Sequence, residues 1–143
     1  NLERYIIPNG NPVFDIRNNS IIETATNRLI AGAILSSKIH ESVTTIGKEA
    51  FYESCIASVD LHAGITTIED YAFDYSDITQ IICRATTPPT LGESPFRLTN
   101  YSGRMKVPEE SISLYRSSWF LTDVGYLGWT NYRWGLVALA EGE

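Results

Sequence analysis

The two histidines of the chain are its first candidates for chemistry. His40 and His62 lie 22 residues apart, with Glu41 and Asp60 close to them in the sequence. Imidazole nitrogens and carboxylate oxygens bind divalent metals, so a weak metal site is one hypothesis. Two imidazoles fill only half of a tetrahedral zinc shell, and the sequence favours the other hypothesis, an exposed ladder of side chains. It therefore predicts no metal site and no cofactor.

An acidic surplus is the second candidate for metal chemistry. Hard oxygen ligands suit calcium, but the spacing of these carboxylates matches no dedicated calcium loop. A solvated acidic face is the favoured interpretation. The carboxylates concerned are Asp60, Glu69, Asp70, Asp74 and Asp77.

Catalytic motifs are missing from the sequence. The segment Gly92-Glu-Ser-Pro-Phe96 lacks the final glycine of a nucleophile elbow. The sequence also contains no P-loop, no dinucleotide-binding fingerprint and no HExxH helix. Two histidines give little material for a catalytic triad. The sequence predicts that the protein is not an enzyme.

The composition narrows the partners further. The 143 residues are 43% hydrophobic and carry a net charge of −6, which is ordinary for a globular protein. An acidic chain does not attract phosphates, which argues against general nucleic-acid binding and against attraction to anionic membranes. No apolar run reaches the roughly 18 residues that a membrane-spanning helix needs.

The elements that must position these residues are set by an internal repeat. Two stretches, which begin at Val43 and Ile65, carry apolar residues in the same register at an offset of 22. The matched pairs are Val43 and Ile65, Ile46 and Ile68, Ala50 and Ala72, Phe51 and Phe73, Ile56 and Ile78, Val59 and Ile81, and Leu61 and Cys83. A period of 20–29 residues is typical of leucine-rich repeats, whose units bury their apolar residues only by stacking.

Looser copies flank this pair. Leu91 and Phe96 follow their counterparts by 23 residues, and Met105 and Val107 follow theirs by 24. Upstream, Ile34 and Ile39 fit at 22 residues, and Leu2, Tyr5 and Ile7 fit the strand of yet another repeat. The chain thus begins in mid-repeat, which predicts a piece of a longer array.

Each repeat is expected to contain one strand and one helical turn. The alternation at the end of Ile56–Leu61 predicts a short strand with Val59 and Leu61 in the core. The stretch 47–52 predicts a short helical turn on the opposite, convex side. Cys55 and Cys83 then fall at different points of adjacent repeats, so we expect two buried free thiols rather than a disulfide.

The phrase Val43-Thr-Thr-Ile-Gly47-Lys-Glu-Ala-Phe51 resembles the BspA-like leucine-rich repeat, also called the Treponema pallidum type. Cys55 lies at that family's usual cysteine position, which implies a structural thiol. The stretches 11–31 and 85–108 resemble flanking elements of Bacteroides members. The resemblance covers about residues 1–116, and it departs from the pattern at His40 and His62, where the family often has proline.

The resemblance and the repeat together predict a right-handed leucine-rich-repeat solenoid of the α/β type, with mostly short strands and short convex helical turns. A β-hairpin insertion at 21–31, turning at Thr26-Asn27, and a C-terminal cap complete the fold. We expect one domain over 1–143. Its parts are degenerate repeats with the hairpin (1–41), two regular repeats (42–63 and 64–86), an irregular repeat (87–107) and the cap (108–143), which opens with a helix from Pro108 to Arg116.

Aromatic residues gather in the C-terminal segment. Exposed, they could stack on sugar rings, and buried, they would form the core of the cap, which is the favoured interpretation. The cluster consists of Trp119, Phe120, Tyr126, Trp129, Tyr132 and Trp134.

The outward strand positions form the candidate ligand-binding surface on the concave side. We expect basic residues to gather toward its C-terminal repeats. The surface comprises Lys38, His40, Asp60, His62, Gln80, Ile82, Arg84, Arg104 and Lys106, with Arg4, Ile6 and Ser58 as further outward positions.

The resemblance implies a secreted or surface-exposed bacterial protein, and some members of the family bind host matrix proteins. Protein–protein binding in adhesion is therefore the expected function. A glycan-binding module that uses the C-terminal aromatics and a structural spacer in a longer repeat array are the alternatives.

Overall fold

The structure is a computed structural model that describes residues 5–33, 38–97, 103–120 and 135–143. Most of its elements are short strands, as the repeat predicts. In chain order they are β1 (Phe14–Arg17), β2 (Ser20–Glu23), β3 (Arg28–Ala31), β4 (Thr45–Ile46), β5 (Ser58–Leu61), β6 (Thr67–Ile68), β7 (Gln80–Cys83), β8 (Thr90–Leu91), β9 (Arg104–Val107), a 3-10 turn (Glu109–Ser111), α1 (Ile112–Tyr115), a π-helical turn (Arg116–Phe120) and β10 (Gly135–Ala138).

The strands form two sheets, and from β4 to β9 the chain alternates between them. A six-stranded sheet has the order β1-β2-β3-β4-β6-β8, and a four-stranded sheet has the order β10-β9-β7-β5. Each of the three repeats over 42–107 contributes one strand to each sheet, and the strands of these successive repeats pair in parallel. This arrangement lets neighbouring repeats cover each other's apolar residues, which a single unit cannot bury alone.

The strand pairing confirms the 22-residue register. Val59 pairs with Ile81, and Leu61 pairs with Cys83. The wider intervals are also confirmed, because Ile68 pairs with Leu91 and Ile81 pairs with Met105. The third copy absorbs its extra residues outside these strands, so the ladder continues in register.

The predicted helical turn at 47–52 is wrong. Ala50, Tyr52 and Ser54 each donate a backbone hydrogen bond three residues back, whereas Glu49, Phe51 and Glu53 donate to the following repeat. Glu49 (φ 56°) and Glu53 (φ 52°) have a left-handed backbone conformation. This conformation directs alternate N–H groups toward the following repeat. A helix would point every N–H along its own axis. Pairing between repeats satisfies these donors instead, and the segment forms linked turns.

The core between repeats is built on a stack of aromatic rings. Phe51 and Phe73 lie 5.0 Å apart and nearly parallel, and Phe73 and Phe96 lie 5.3 Å apart in the same way. Trp119 continues the series at 5.9 Å from Phe96. All four side chains are buried. The phenylalanine at each repeat therefore packs on its counterpart in the next.

The N-terminal strands extend the six-stranded sheet. β2 and β3 pair in antiparallel fashion on either side of a turn in which Asn27 has a left-handed φ of 54°. β3 then pairs in parallel with β4, and β1 adds a further antiparallel strand. Tyr5 and Ile7 are not in a strand, contrary to the prediction: Tyr5 bonds the side chain of Asn19 and the carbonyl of Gly32 instead of a neighbouring strand.

The C-terminal segment begins with the expected helix after Pro108. The hydroxyl of Tyr115 donates to the carbonyl of Ala85, and the indole of Trp119 donates to that of Pro89. β10 then pairs in parallel with β9 as an added strand of the four-stranded sheet. None of the described helices is long and apolar enough to cross a membrane.

Cys55 is exposed, so the expectation of two buried thiols is wrong for this residue. Side chains alternate at the end of the turn segment, where Ser54 and Ile56 point inward and Cys55 points outward. Cys83 is buried and free, and burial raises the pKa of its thiol. Neither cysteine is joined in a disulfide.

Candidate binding surface

The outward face of the four-stranded sheet aligns side chains from successive repeats in two rows. One row runs across Ser58, Gln80 and Arg104. The other runs across Asp60, Ile82 and Lys106, and a bridge between Lys38 and Asp60 lengthens it. Alternate residues of each strand are buried, so these outward positions are the ones that a partner can reach.

Arg84 lies in the middle of this surface and is held there by hydrogen bonds to Asp60. It follows β7 and makes two parallel hydrogen bonds to Asp60, each 2.8 Å long. The bond to Asp60 raises the pKa of Arg84. The paired geometry fixes the plane of the guanidinium, as expected for a fork-shaped donor on a carboxylate. Arg84 is therefore positioned by its neighbour rather than free.

A basic end of the surface was expected, but its cations are largely bound within the chain. Arg84 is paired with Asp60, and Lys106 is paired with Glu143. Arg104 is exposed and has no ion pair among the described residues. The sequence did not reveal these pairs because the partners lie 24 and 37 residues away in the chain.

The two histidines are neighbours in the structure, and each accepts a hydrogen bond that stabilises a turn. Nδ1 of His40 accepts the N–H of Ser42, and Nδ1 of His62 accepts the N–H of Gly64. Because Nδ1 of His62 accepts, Nε2 carries the proton and donates to the carbonyl of His40 at 3.2 Å. Each ring thus supports the turn that directly follows it in the chain. The described residues contain no group of three metal-binding side chains.

A shallow pocket of about 500 Å³ opens where these parts of the surface meet. It brings together four of the predicted binding residues, and its charged walls are Lys38, Asp60 and Arg84. Gln80, Ile82, Arg104 and Lys106 lie along the strands and not in its lining. The pocket is lined by Lys38, Ile39, Asp60, His62 and Arg84.

The acidic residues considered for calcium do not converge on one site. Asp60 binds Arg84, Glu69 binds Arg28, and Asp74 binds Arg97. Each of these three carboxylates has its own guanidinium in a different part of the fold, and Asp70 accepts the N–H of Glu93 instead. Calcium needs several oxygens around one point, which this arrangement does not supply.

The turn segments carry an aromatic patch that the sequence reasoning missed. Tyr52 and Tyr75 are exposed and meet edge to face at 5.6 Å. Arg97 lies over the ring of Tyr71 at 5.0 Å and also binds Asp74. The sequence signal for this patch was the presence of tyrosine at turn positions that do not belong to the apolar repeat pattern.

Among the C-terminal aromatics, Trp119 is buried in the phenylalanine stack. A buried ring cannot stack on a sugar from solvent. The other members of the cluster, including the side chain of Phe120, lie outside the described residues.

The repeat geometry agrees with the comparison to protein families. A family model described as the BspA-type leucine-rich repeat region, in six copies, matches residues 31–124. No curated protein matches the chain. Leucine-rich repeats mediate protein interactions and are typically non-enzymatic, and BspA-type members are often secreted or on the cell surface. The chain belongs to the family of BspA-type leucine-rich-repeat proteins.

Proposed function

We propose that this chain is a non-enzymatic protein-binding module of a secreted or surface bacterial protein, and that it acts in adhesion to a host surface or matrix protein. The observation that carries the proposal is the alignment of outward residues in two rows across three repeats. Stacked repeats use such continuous faces to bind partners. In this proposal the repeats wind into a right-handed solenoid. A C-terminal cap over residues 108–143 closes its end.

The chemistry of the rows suits a protein partner. Ile82 is a half-buried aliphatic side chain with Asp60 and Lys106 on either side of it. An apolar centre with a polar rim is the usual composition of a protein interface. Gln80 and Arg104 add donors that can bond a partner's backbone.

The test is binding of the purified chain to a panel of immobilised matrix proteins, with fibronectin, laminin and collagen as probes. We expect Ile82→Glu and Arg104→Glu to weaken binding to the matrix protein that the unmodified chain retains. Arg84 and Lys106 are poor choices for charge reversal, since each is held in a native pair. Lys48→Glu, on an exposed turn residue, is the matched control.

Equal binding by Ile82→Glu, Arg104→Glu and the control would contradict the proposed surface. Binding to none of the probes would favour the spacer hypothesis. Loss of binding only in folded tryptophan variants of the C-terminal segment would favour the glycan hypothesis.

A further inference from the structure

Residues 140–143 form a tight turn beside the candidate surface. The N–H of Leu139 still donates to Val107 in the adjacent strand, and the chain then turns so that Glu143 donates to the carbonyl of Ala140. Gly142 occupies the left-handed φ of 81° at the third position of this turn, where glycine is favoured. The Glu143 carboxylate also accepts the N–H of Ala140 at 3.0 Å.

Glu143 is held on the surface through both its backbone and its side chain. Its main-chain oxygen accepts a hydrogen bond of 2.8 Å from Nη1 of Arg84. Its carboxylate pairs with Nζ of Lys106. Asp60 occupies Nε and Nη2 of Arg84, which leaves Nη1 for this main-chain oxygen. Arg84 and Lys106 therefore bind the same residue, one through its main-chain oxygen and the other through its side-chain carboxylate. Asp60 does not contact Glu143 but holds Arg84 in position.

From this geometry we propose that Asp60, Arg84 and Lys106 form a recognition site for a glutamate-bearing turn of a partner protein, and that residues 140–143 occupy this site in the isolated chain. The proposal rests on the proposed function and names the chemistry of one part of the partner. A partner binds by displacing Glu143, so the chain's own turn sets a threshold for binding.

The contacts of the turn are suited to exchange. Residues 140–143 are exposed, and the ion pair joins side chains that are themselves partly exposed. Partly exposed pairs contribute little free energy, so the turn opens at small cost. Because it is tethered, it nevertheless competes at an effective concentration in the millimolar range. A partner in trans must exceed that competition.

The experiment titrates the full ¹⁵N-labelled chain with the acetylated, amidated peptide Leu-Ala-Glu-Gly-Glu and follows amide chemical shifts up to about 5 mM, the range in which the tethered turn competes. Glu143→Ala vacates the site, and Glu141→Ala is the matched control, since it removes the same charge from an exposed residue of the same turn. The peptide with glutamine in place of both glutamates is the ligand control.

We expect Glu143→Ala to bind the peptide about tenfold more tightly than the unmodified chain or Glu141→Ala, because the competing turn is weakened. Shifts should centre on the amides of Arg84 and Lys106. Adding Lys106→Glu to Glu143→Ala should abolish binding, and the glutamine peptide should not bind.

Equal affinity in all three chains, no shifts in Glu143→Ala, or binding that survives Lys106→Glu would each overturn the proposal. Matrix-protein binding that is lost in Ile82→Glu is measured separately. It therefore survives as evidence for the proposed function if the peptide fails to bind.

Discussion

Ser54 and Ser76 occupy equivalent positions in successive repeats, and both are buried. The hydroxyl of Ser76 donates to the carbonyl of Phe73 at 2.7 Å. The hydroxyl of Ser54 has no hydrogen-bond partner in the part of the chain that the structure describes. A buried polar group without a partner keeps its desolvation cost uncompensated. The two serines are therefore a natural matched pair.

We expect Ser54→Ala to leave stability unchanged or to raise it, because it removes an unsatisfied group. Ser76→Ala should lower the free energy of unfolding by about 0.5–1.5 kcal/mol, the usual net contribution of a hydrogen bond. Urea denaturation of both variants checks this. An equal loss in the two variants would show that Ser54 has a partner in solution.

Glu69 gives the protein a pH-dependent contact at the same scale. Arg28 reaches across the intervening repeat to bind it, and the N–H of Lys48 adds a bond of 2.8 Å. These bonds, the one from Arg28 first, lower the pKa of Glu69. A lowered folded pKa stabilises the fold above the ordinary glutamate value, and that stability is lost as pH falls through the folded pKa.

We expect Glu69→Gln to melt below the unmodified chain at pH 7. The difference in Tm should shrink as pH falls below about 4.3, the ordinary glutamate pKa. Melting curves between neutral and acidic pH measure this, with exposed Glu41→Gln as the control for loss of charge. A difference in Tm that is constant with pH would contradict the role of the Arg28 pair.

The stacked phenylalanines are the element that carries the core from one repeat to the next. Phe73 lies between Phe51 and Phe96 and is fully buried. Phe73→Ala should lower the free energy of unfolding by about 3–5 kcal/mol, since it removes a large side chain and leaves a cavity. A loss below about 1 kcal/mol in chemical denaturation would contradict the stack.

Gly47 governs how closely β3 and the first regular repeat approach. A Cβ at this position would lie 2.3 Å from the carbonyl oxygen of Leu29, the same oxygen that accepts the Gly47 N–H. That oxygen belongs to the backbone and cannot rotate away, so the two segments would have to separate.

We expect Gly47→Ala to destabilise the fold by about 1–3 kcal/mol, the usual cost of overpacking. Gly135→Ala in β10 is the control, because its Cβ would meet no atom of the described residues within 4 Å. Thermal denaturation compares the two. Equal Tm values would show that the approach at Gly47 is looser than the structure indicates.

The elements also show what sequence reasoning reached and where it stopped. The apolar spacing sufficed to place Val59 opposite Ile81, because burial fixes the register of a strand. The same spacing led to the wrong prediction of a helical turn at 47–52. Hydrogen bonds between repeats determine the backbone conformation there, and the local sequence carries no signal for them. The pairs Arg84–Asp60 and Lys106–Glu143 were invisible for the same reason.

At the scale of the whole molecule, two parallel ladders and the linked turns join each repeat to its neighbours. β7 is paired on both sides, whereas β10 is paired only with β9 among the described strands. β10 is also half exposed, but β7 buries Ile81 and Cys83. Stability should therefore fall from the middle of the stack toward its ends.

Hydrogen exchange followed by mass spectrometry tests that gradient. Peptides that cover β7 should exchange most slowly, and those that cover β1 or β10 should exchange fastest, because edge strands open without disturbing the core. Uniform protection across the chain would instead indicate one cooperative unit without a gradient.

The backbone hydrogen bonds between the turn segments of successive repeats also affect how such an array can change over generations. Equivalent positions bond equivalent positions: Phe51 donates to Ala72, and Phe73 donates to Pro95. Both sides of a repeat thus present matching patterns, and duplication of one 22-residue unit would leave every junction satisfied. Recombination can add or remove whole units without a new interface having to evolve. The copy number of the repeat is therefore a heritable variable that changes the length of the outward sheet face while its local structure stays constant.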